Sequence, residues 1–200
     1  MDGTGSLFAD FIASLPPGVE TVVISYPTDK ALGYSDLEAL VSGKLPNRPF
    51  ILVGESFSGP IALALAASAP IGLRGVILVG SFAKKPLPAP SALAWLPLWC
   101  VPIRIAAAFL LGRWSSAEQR ARLSTAMAHV LPSVWRARLR AVLSVDVMSR
   151  LRTVSVPLLY LRGIQDHVVP RSAWNSIEGA YRVRGLSKWR GHISCYRQSR

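Results

Sequence analysis

The stretch Phe50-Ile51-Leu52-Val53-Gly54-Glu55-Ser56-Phe57-Ser58-Gly59 decides the fold. Its apolar start, Phe50 to Val53, reads as a buried strand, and an Ala/Leu-rich helix over Pro60 to Ala69 leaves the turn that follows. A serine held on a tight strand-to-helix turn has its hydroxyl lifted clear of the sheet, which is what a nucleophile needs. Residues two before and two after it crowd together where strand and helix meet, so both are expected to be small. Gly54 meets that requirement, and Ser58 stands where glycine is usual. A plain buried strand with a glycine-rich turn gives similar letters, so the flanking sequence has to arbitrate.

Outward from the turn, helical and strand periods alternate. Leu7, Phe8, Phe11, Ile12 and Leu15 follow helical spacing, and Pro16-Pro17-Gly18 ends that helix. The β-branched run from Thr21 to Ser25 is read as a buried strand. Tyr34 to Leu45 is a short helix with Leu37, Leu40 and Val41 inward, and Leu73 to Val79 is a further strand. Short apolar strands separated by helices of about ten residues argue for a mostly parallel sheet covered on both faces.

The pattern breaks at Pro86. From there to about Arg152 the period is helical, with prolines at 86, 88, 90, 97, 102 and 132, as expected of an insertion lying over the sheet. Val156 to Leu161 resumes as a strand and runs into Arg162-Gly163-Ile164-Gln165-Asp166-His167-Val168-Val169-Pro170. The domain reading is therefore residues 1–85 as the first part of a core, 86–152 as a helical lid, and 153–200 as the rest of the core. The tail from about residue 181 is atypical. Ala92 to Gly112 is apolar with Arg104 its only charge, but Pro97 and Pro102 interrupt it, so a covering lid is expected there in place of a membrane span.

Composition limits the alternatives. Of the 200 residues, 50% are hydrophobic and 17% charged, which excludes disorder throughout. Cys100 and Cys195 lie far apart without metal-ligand spacing, so no disulfide framework is expected and a cytoplasmic location is the default. Met1 to Gly5 lack the basic start and apolar run of a signal peptide. The formal charge of +12 is concentrated in two blocks, a net +7 over 103–152 and a net +6 over 182–200. The rest is close to neutral. A basic module for nucleic acid or an anionic membrane surface, with Arg136 and Arg140 on one helical face, is a remote alternative, because no nucleic-acid motif accompanies the charge.

Three segments carry a resemblance: Met1-Asp2-Gly3-Thr4-Gly5, Gly54-Glu55-Ser56-Phe57-Ser58-Gly59-Pro60, and Pro157 through Asp166 to Pro170. The chain is similar through them to bacterial lid-bearing α/β-hydrolases, the family of esterases, thioesterases and proline-type aminopeptidases. The match runs from residue 1 to about 180 and is weakest in the lid. The resemblance implies an α/β-hydrolase fold and a Ser-Asp-His chain order. Ser56 would be the nucleophile and Asp166 the acid that orients the base. His192, 26 residues beyond Asp166, would be the base; His167 adjoins the acid and His129 falls in the lid. The N–H of Phe57 would be one oxyanion donor, and that of Met1, after the family's Pro-Gly or His-Gly strand end, the second. No metal or cofactor is implied.

The same resemblance implies departures at both ends. The strand that precedes Met1 in the family lies between the Thr21–Ser25 and Phe50–Val53 strands, so a sheet without it would leave backbone groups unpaired. Trp189 to Arg200 lacks the apolar helix that follows the base. Codons permitted for the tail from Arg190, read two bases later, give Gly-Pro-His-Phe-Leu-Leu-Gln-Ala-Lys-Pro, similar to the family's catalytic-His segment. A frame error around residues 178–186 is therefore expected, as is an N-terminal truncation.

The functional expectation is a serine hydrolase acting on an ester, thioester or small amide. A catalytically inert truncated or pseudogene product is the alternative. Trp95, Leu98, Trp99, Ile103, Phe109 and Leu110 suggest a small hydrophobic or acyl substrate, unless they merely pack the lid onto the body. Oligomeric state is not legible.

Overall fold

A computed structural model describes residues 2–86, 117–163, 166, 169–181 and 187–191. The six apolar lid residues named above, Met1, His167 and His192 lie outside that set. A four-stranded sheet runs in the order β1 (Phe50–Glu55), β2 (Leu73–Val79), β3 (Leu158–Gly163) and β4 (Ser187–Gly191). Every pairing is parallel: Glu55 opposes Val79, Val79 opposes Leu161, and Gly163 opposes Gly191. The carboxyl ends of all four strands therefore open on one edge, where ligands bind in sheets of this kind.

Helix α1 (Ala9–Ala13) follows a short 3-10 turn at Ser6–Phe8. Helix α2 (Tyr34–Ser42) buries Leu37 and Val41, as the helical spacing predicts, while Leu40 is half-buried. Helix α3 (Gly59–Ala67) is apolar on all sides, and Gly59 to Ala66 are all buried. A helix without a polar face has to be enclosed. It packs on β1 and β2 on one side and on α2 on another. Two clusters form around it: Leu63, Ala66, Leu78, Leu158, Trp174 and Ile177 on the sheet side, and Tyr26, Leu37, Val41, Phe57, Ile61 and Leu65 on the α2 side.

Between β2 and β3 come α4 (Ala117–Ala128), α5 (Pro132–Ser144) and α6 (Met148–Leu151). Pro132 opens α5 at a position where its missing N–H costs nothing. After β3, α7 (Arg171–Ala180) turns Ala173, Trp174, Ile177 and Ala180 inward. The sequence reading did not anticipate α7 or β4; β4 forms inside the segment read as an atypical tail.

One strand expectation needs correcting. Thr21 to Ser25 belongs to no ladder, and it is not buried: Val22 and Val23 are 61% and 42% exposed. β-branched residues favour extended backbone, but a strand also needs a hydrogen-bonded neighbour. No strand among the described residues lies between this segment and β1. Among the described strands β1 is accordingly one edge of the sheet, and its Ile51 and Val53 are 59% and 40% exposed. Among the described residues, β1 is covered on the α3 face alone.

Candidate active site

Ser56 follows β1 directly and has φ 48, in the left-handed region that residues with a Cβ seldom enter. The turn continues as a 3-10 stretch over Ser56–Ser58 and passes straight into α3. Two glycines allow it. A Cβ on Gly54 would stand 2.8 Å from the Ala62 Cβ and 3.0 Å from the Gly59 Cα, where strand and helix cross. A Cβ on Gly59 would meet the Ser81 Oγ at 1.7 Å. Ser58 tolerates a side chain because its Oγ accepts a hydrogen bond from the Tyr26 hydroxyl at 2.9 Å, away from that crossing.

The turn is held from behind. The Ser81 Oγ donates to the Ser56 carbonyl at 2.7 Å, and the Tyr160 hydroxyl on β3 donates to the Ser81 carbonyl at 2.6 Å. Phe57 is buried between two rings, stacked on Tyr34 at 4.8 Å and edge-on to Tyr26 at 6.2 Å. Its N–H lies at the start of a helical run, where the first amides have no intrahelical acceptor. Burial pushes the Tyr34 hydroxyl well above its ordinary value, so it stays protonated.

Asp166 comes over the end of β2, the strand beside the one carrying Ser56. Its Oδ2 lies 3.2 Å from where a Cβ on Gly80 would sit, and Gly80 itself has φ +49. Asp166 itself is tightly tethered. The Val169 N–H donates to Oδ1 at 2.9 Å, the Asp166 N–H to the Gly163 carbonyl at 3.2 Å, and the Arg162 guanidinium to the Asp166 carbonyl at 2.7 Å. Tyr160 is pushed up to about 12, first by burial and then by the nearby Asp166 charge.

The structure thus brings Ser56, Phe57 and Asp166 to one edge of the sheet. Met1 and His192 fall outside the described residues, although β4 ends at Gly191 opposite Gly163, at the same edge. His129 lies on α4's C-terminal side with its Nδ1 2.7 Å from the Thr125 carbonyl. Sequence reasoning missed Ser81, Tyr160, Tyr26 and Arg138. Ser81 lies just past the end of β2 and Tyr160 inside β3, both ordinary letters that nothing local marks. Arg138 on α5 is 1% exposed, donating to the Asp2 and Pro27 carbonyls. Burial lowers its pKa, and the Asp2 and Tyr26 groups oppose that shift.

A groove of about 470 Å³ is lined by Tyr34, Glu38, Pro60, Arg140, Asp146 and Arg150 among others, and its lining includes neither Ser56 nor Asp166. Among the described residues no three His, Cys, Asp or Glu side chains group as metal ligands. No helix among them is long and apolar enough to cross a membrane, and Ala92–Gly112 lies outside them.

A parallel sheet whose edge carries a left-handed serine between strand and enclosed helix defines the α/β-hydrolase class of fold. The chain belongs to the Alpha/beta hydrolase family, whose model matches residues 3–192. Solved structures agree on the fold. The enol-lactonase from Burkholderia xenovorans LB400 superposes with a TM-score of 0.75 at 17% identity, covering 95% of this chain and 79% of that one. A hydrolase from Oleispira antarctica gives 0.74 at 15% identity, over 96% and 81% of the two chains. The esterase RhEst1 from Rhodococcus sp. ECU1013 gives 0.66 at 21% identity, over 96% and 79%. No curated protein matches the sequence.

Proposed function

We propose that the chain is a serine hydrolase cleaving a carboxylic ester, a thioester or a small amide through an acyl-enzyme. The observation that carries this reading is the backbone of Ser56, held left-handed at the end of β1 with the Asp166 carboxylate over the neighbouring strand end. Strain of this kind persists where the surroundings enforce it, and it is concentrated at functional sites.

In the proposed reaction the Ser56 Oγ attacks the carbonyl carbon and its proton passes to His192. Asp166 holds the imidazole in the right tautomer and stabilises the imidazolium. The N–H groups of Phe57 and Met1 hold the oxyanion. The tetrahedral intermediate collapses, the carbon–heteroatom bond breaks, and the leaving group takes the proton from His192. Water, deprotonated by the same imidazole, then attacks the acyl-enzyme and releases the acid. No metal or cofactor takes part. Residues 86–152 act as a lid, whose Trp95, Trp99 and Phe109 favour a hydrophobic acyl group. The reaction belongs in the cytoplasm, and neither nucleic acid nor a membrane span is involved.

A second reading, a catalytically inert member of the family, draws on the outer edge of β1, which no described strand pairs, and on the exposure of Ile51 and Val53. Hydrolysis of p-nitrophenyl esters of graded acyl length separates the two. The proposal expects turnover that Ser56→Ala lowers by about four orders of magnitude or more. Equal rates from the wild type and Ser56→Ala, or none from either, would favour the inert reading.

A further inference from the structure

We infer that Arg138 is a positioning residue, fixing the loop that begins at Asp2 against the Ser56 turn from the helical segment between β2 and β3. The inference rests on the serine-hydrolase reading above and adds a residue that the reading does not use.

Arg138 is among the largest fully enclosed side chains, and its charge has been taken almost wholly out of water. An arginine so buried is costly unless its donors are used in a fixed geometry. Here the planar fork is spent on two backbone carbonyls from separate loops. Nη1 donates to Asp2 and Nη2 to Pro27, each at 2.9 Å. The guanidinium carbon also lies 5.9 Å from the centre of the Tyr26 ring, within the range of a cation–π contact.

Each partner leads to the proposed machinery. The Asp2 carbonyl is one residue beyond Met1, whose N–H is the proposed second oxyanion donor. The Tyr26 hydroxyl holds Ser58, two residues after Ser56, and the Tyr26 N–H donates to the Gly3 carbonyl at 2.7 Å. The three contacts close a ring: Arg138 to Asp2, Gly3 to Tyr26, and Tyr26 back under Arg138. Gly3 is needed for the fit, because a Cβ there would lie 2.9 Å from Nη1 and from Nη2 of Arg138. A merely structural cation would require only compensation. This one sets the spacing between the Asp2 loop and the Tyr26 loop, and through Ser58 the spacing of both from the nucleophile turn.

The test compares wild type, Arg138→Met and Arg138→Lys in two measurements on the full chain. Hydrogen exchange is followed on peptides spanning Asp2–Phe8 and Val22–Lys30, and the rate of Ser56 labelling by a fluorophosphonate is followed in parallel. Arg138→Met is expected to speed exchange in those two peptides while β2 and β3 keep wild-type protection. Its labelling should slow by about tenfold to a hundredfold, less than outright loss of an oxyanion donor costs. Arg138→Lys, which keeps the charge but loses the fork, should lie between. Unchanged labelling with locally faster exchange would overturn the inference, and so would labelling that falls only in step with faster exchange everywhere. If Arg138→Met does not fold, Arg138→Lys decides by the same criteria. A wild type that the probe does not label at all refutes the hydrolase reading itself, a failure distinct from either of these.

Discussion

The Ser81 Oγ donates to the carbonyl of Ser56 at 2.7 Å, so the end of β2 fixes the backbone of the turn that ends β1. Tyr160 fixes Ser81 in the same way from β3. Three successive strands therefore share in holding one left-handed residue, which is how a strained conformation is maintained against the ordinary preference of a residue with a Cβ.

Gly59 and Ser81 are packed so closely that neither can grow. Gly59→Ala places a Cβ 1.7 Å from the Ser81 Oγ and 2.6 Å from its Cβ, and should destabilise the fold by about 1–3 kcal/mol. Adding Ser81→Gly should recover part of that loss, since it removes both clashing atoms. Denaturant unfolding of the single and double variants measures the coupling, and strictly additive effects would contradict the packing described.

Ser56→Gly and Ser56→Ala both remove the hydroxyl, but only glycine relieves the backbone. Ser56→Gly should be the more stable of the two by up to about 1 kcal/mol, because alanine keeps the left-handed penalty. Thermal unfolding of the pair reads the difference. A more stable alanine variant would mean that the turn is not strained.

Asp166→Asn keeps the shape of the side chain but cannot hold an imidazolium. Ester turnover should fall by about 10³–10⁴-fold, the scale seen when a triad acid is neutralised. The tether from the Val169 N–H to Oδ1 can be kept by the amide oxygen, so the melting temperature should change little. Turnover within threefold of wild type would remove Asp166 from the mechanism.

Tyr160 predicts an alkaline limit to stability. Its pKa is pushed up to about 12 in the fold, chiefly by burial and then by Asp166, against 10.0 ordinarily. The folded state thus keeps a proton that the unfolded chain loses first. The stabilisation is complete below pH 10.0 and is lost as the pH rises toward 12. Within that window the group contributes a slope of about 1.4 kcal/mol per pH unit. Tyr160→Phe should flatten this part of the profile and cost about 1–3 kcal/mol at neutral pH, where the buried Ser81 carbonyl loses its donor. Urea midpoints taken between pH 8 and 12 provide the comparison.

How far the sequence carried depended on whether a feature was local. The run from Phe50 to Ala67 was legible because strand, turn and helix each have their own chemistry there: apolar alternatives to solvent, two obligatory glycines, and an Ala/Leu helix that must be enclosed. Leu73–Val79 was read to the residue, its limits set by Gly72 and Gly80. The Thr21–Ser25 run misled because its letters report a preference for extended backbone, whereas a ladder depends on a neighbouring strand. β4 escaped for the opposite reason: Ser187-Lys188-Trp189-Arg190-Gly191 carries two charges and little apolar periodicity, and it is a strand because Leu159–Gly163 offers an edge. Ser56 and Asp166, the proposed nucleophile and acid, stand out in the sequence by their turns. The supports at Ser81, Tyr160, Tyr26 and Arg138 do not, because each acts through a contact spanning at least 25 residues of chain.

The most direct test of the proposed nucleophile is mass spectrometry of the intact chain after treatment with a fluorophosphonate, followed by peptide mapping. One adduct, located on Ser56 and absent from Ser56→Ala, is the predicted result. An unmodified chain under conditions that label an authentic serine hydrolase, or an adduct on a different residue that persists in Ser56→Ala, would contradict it.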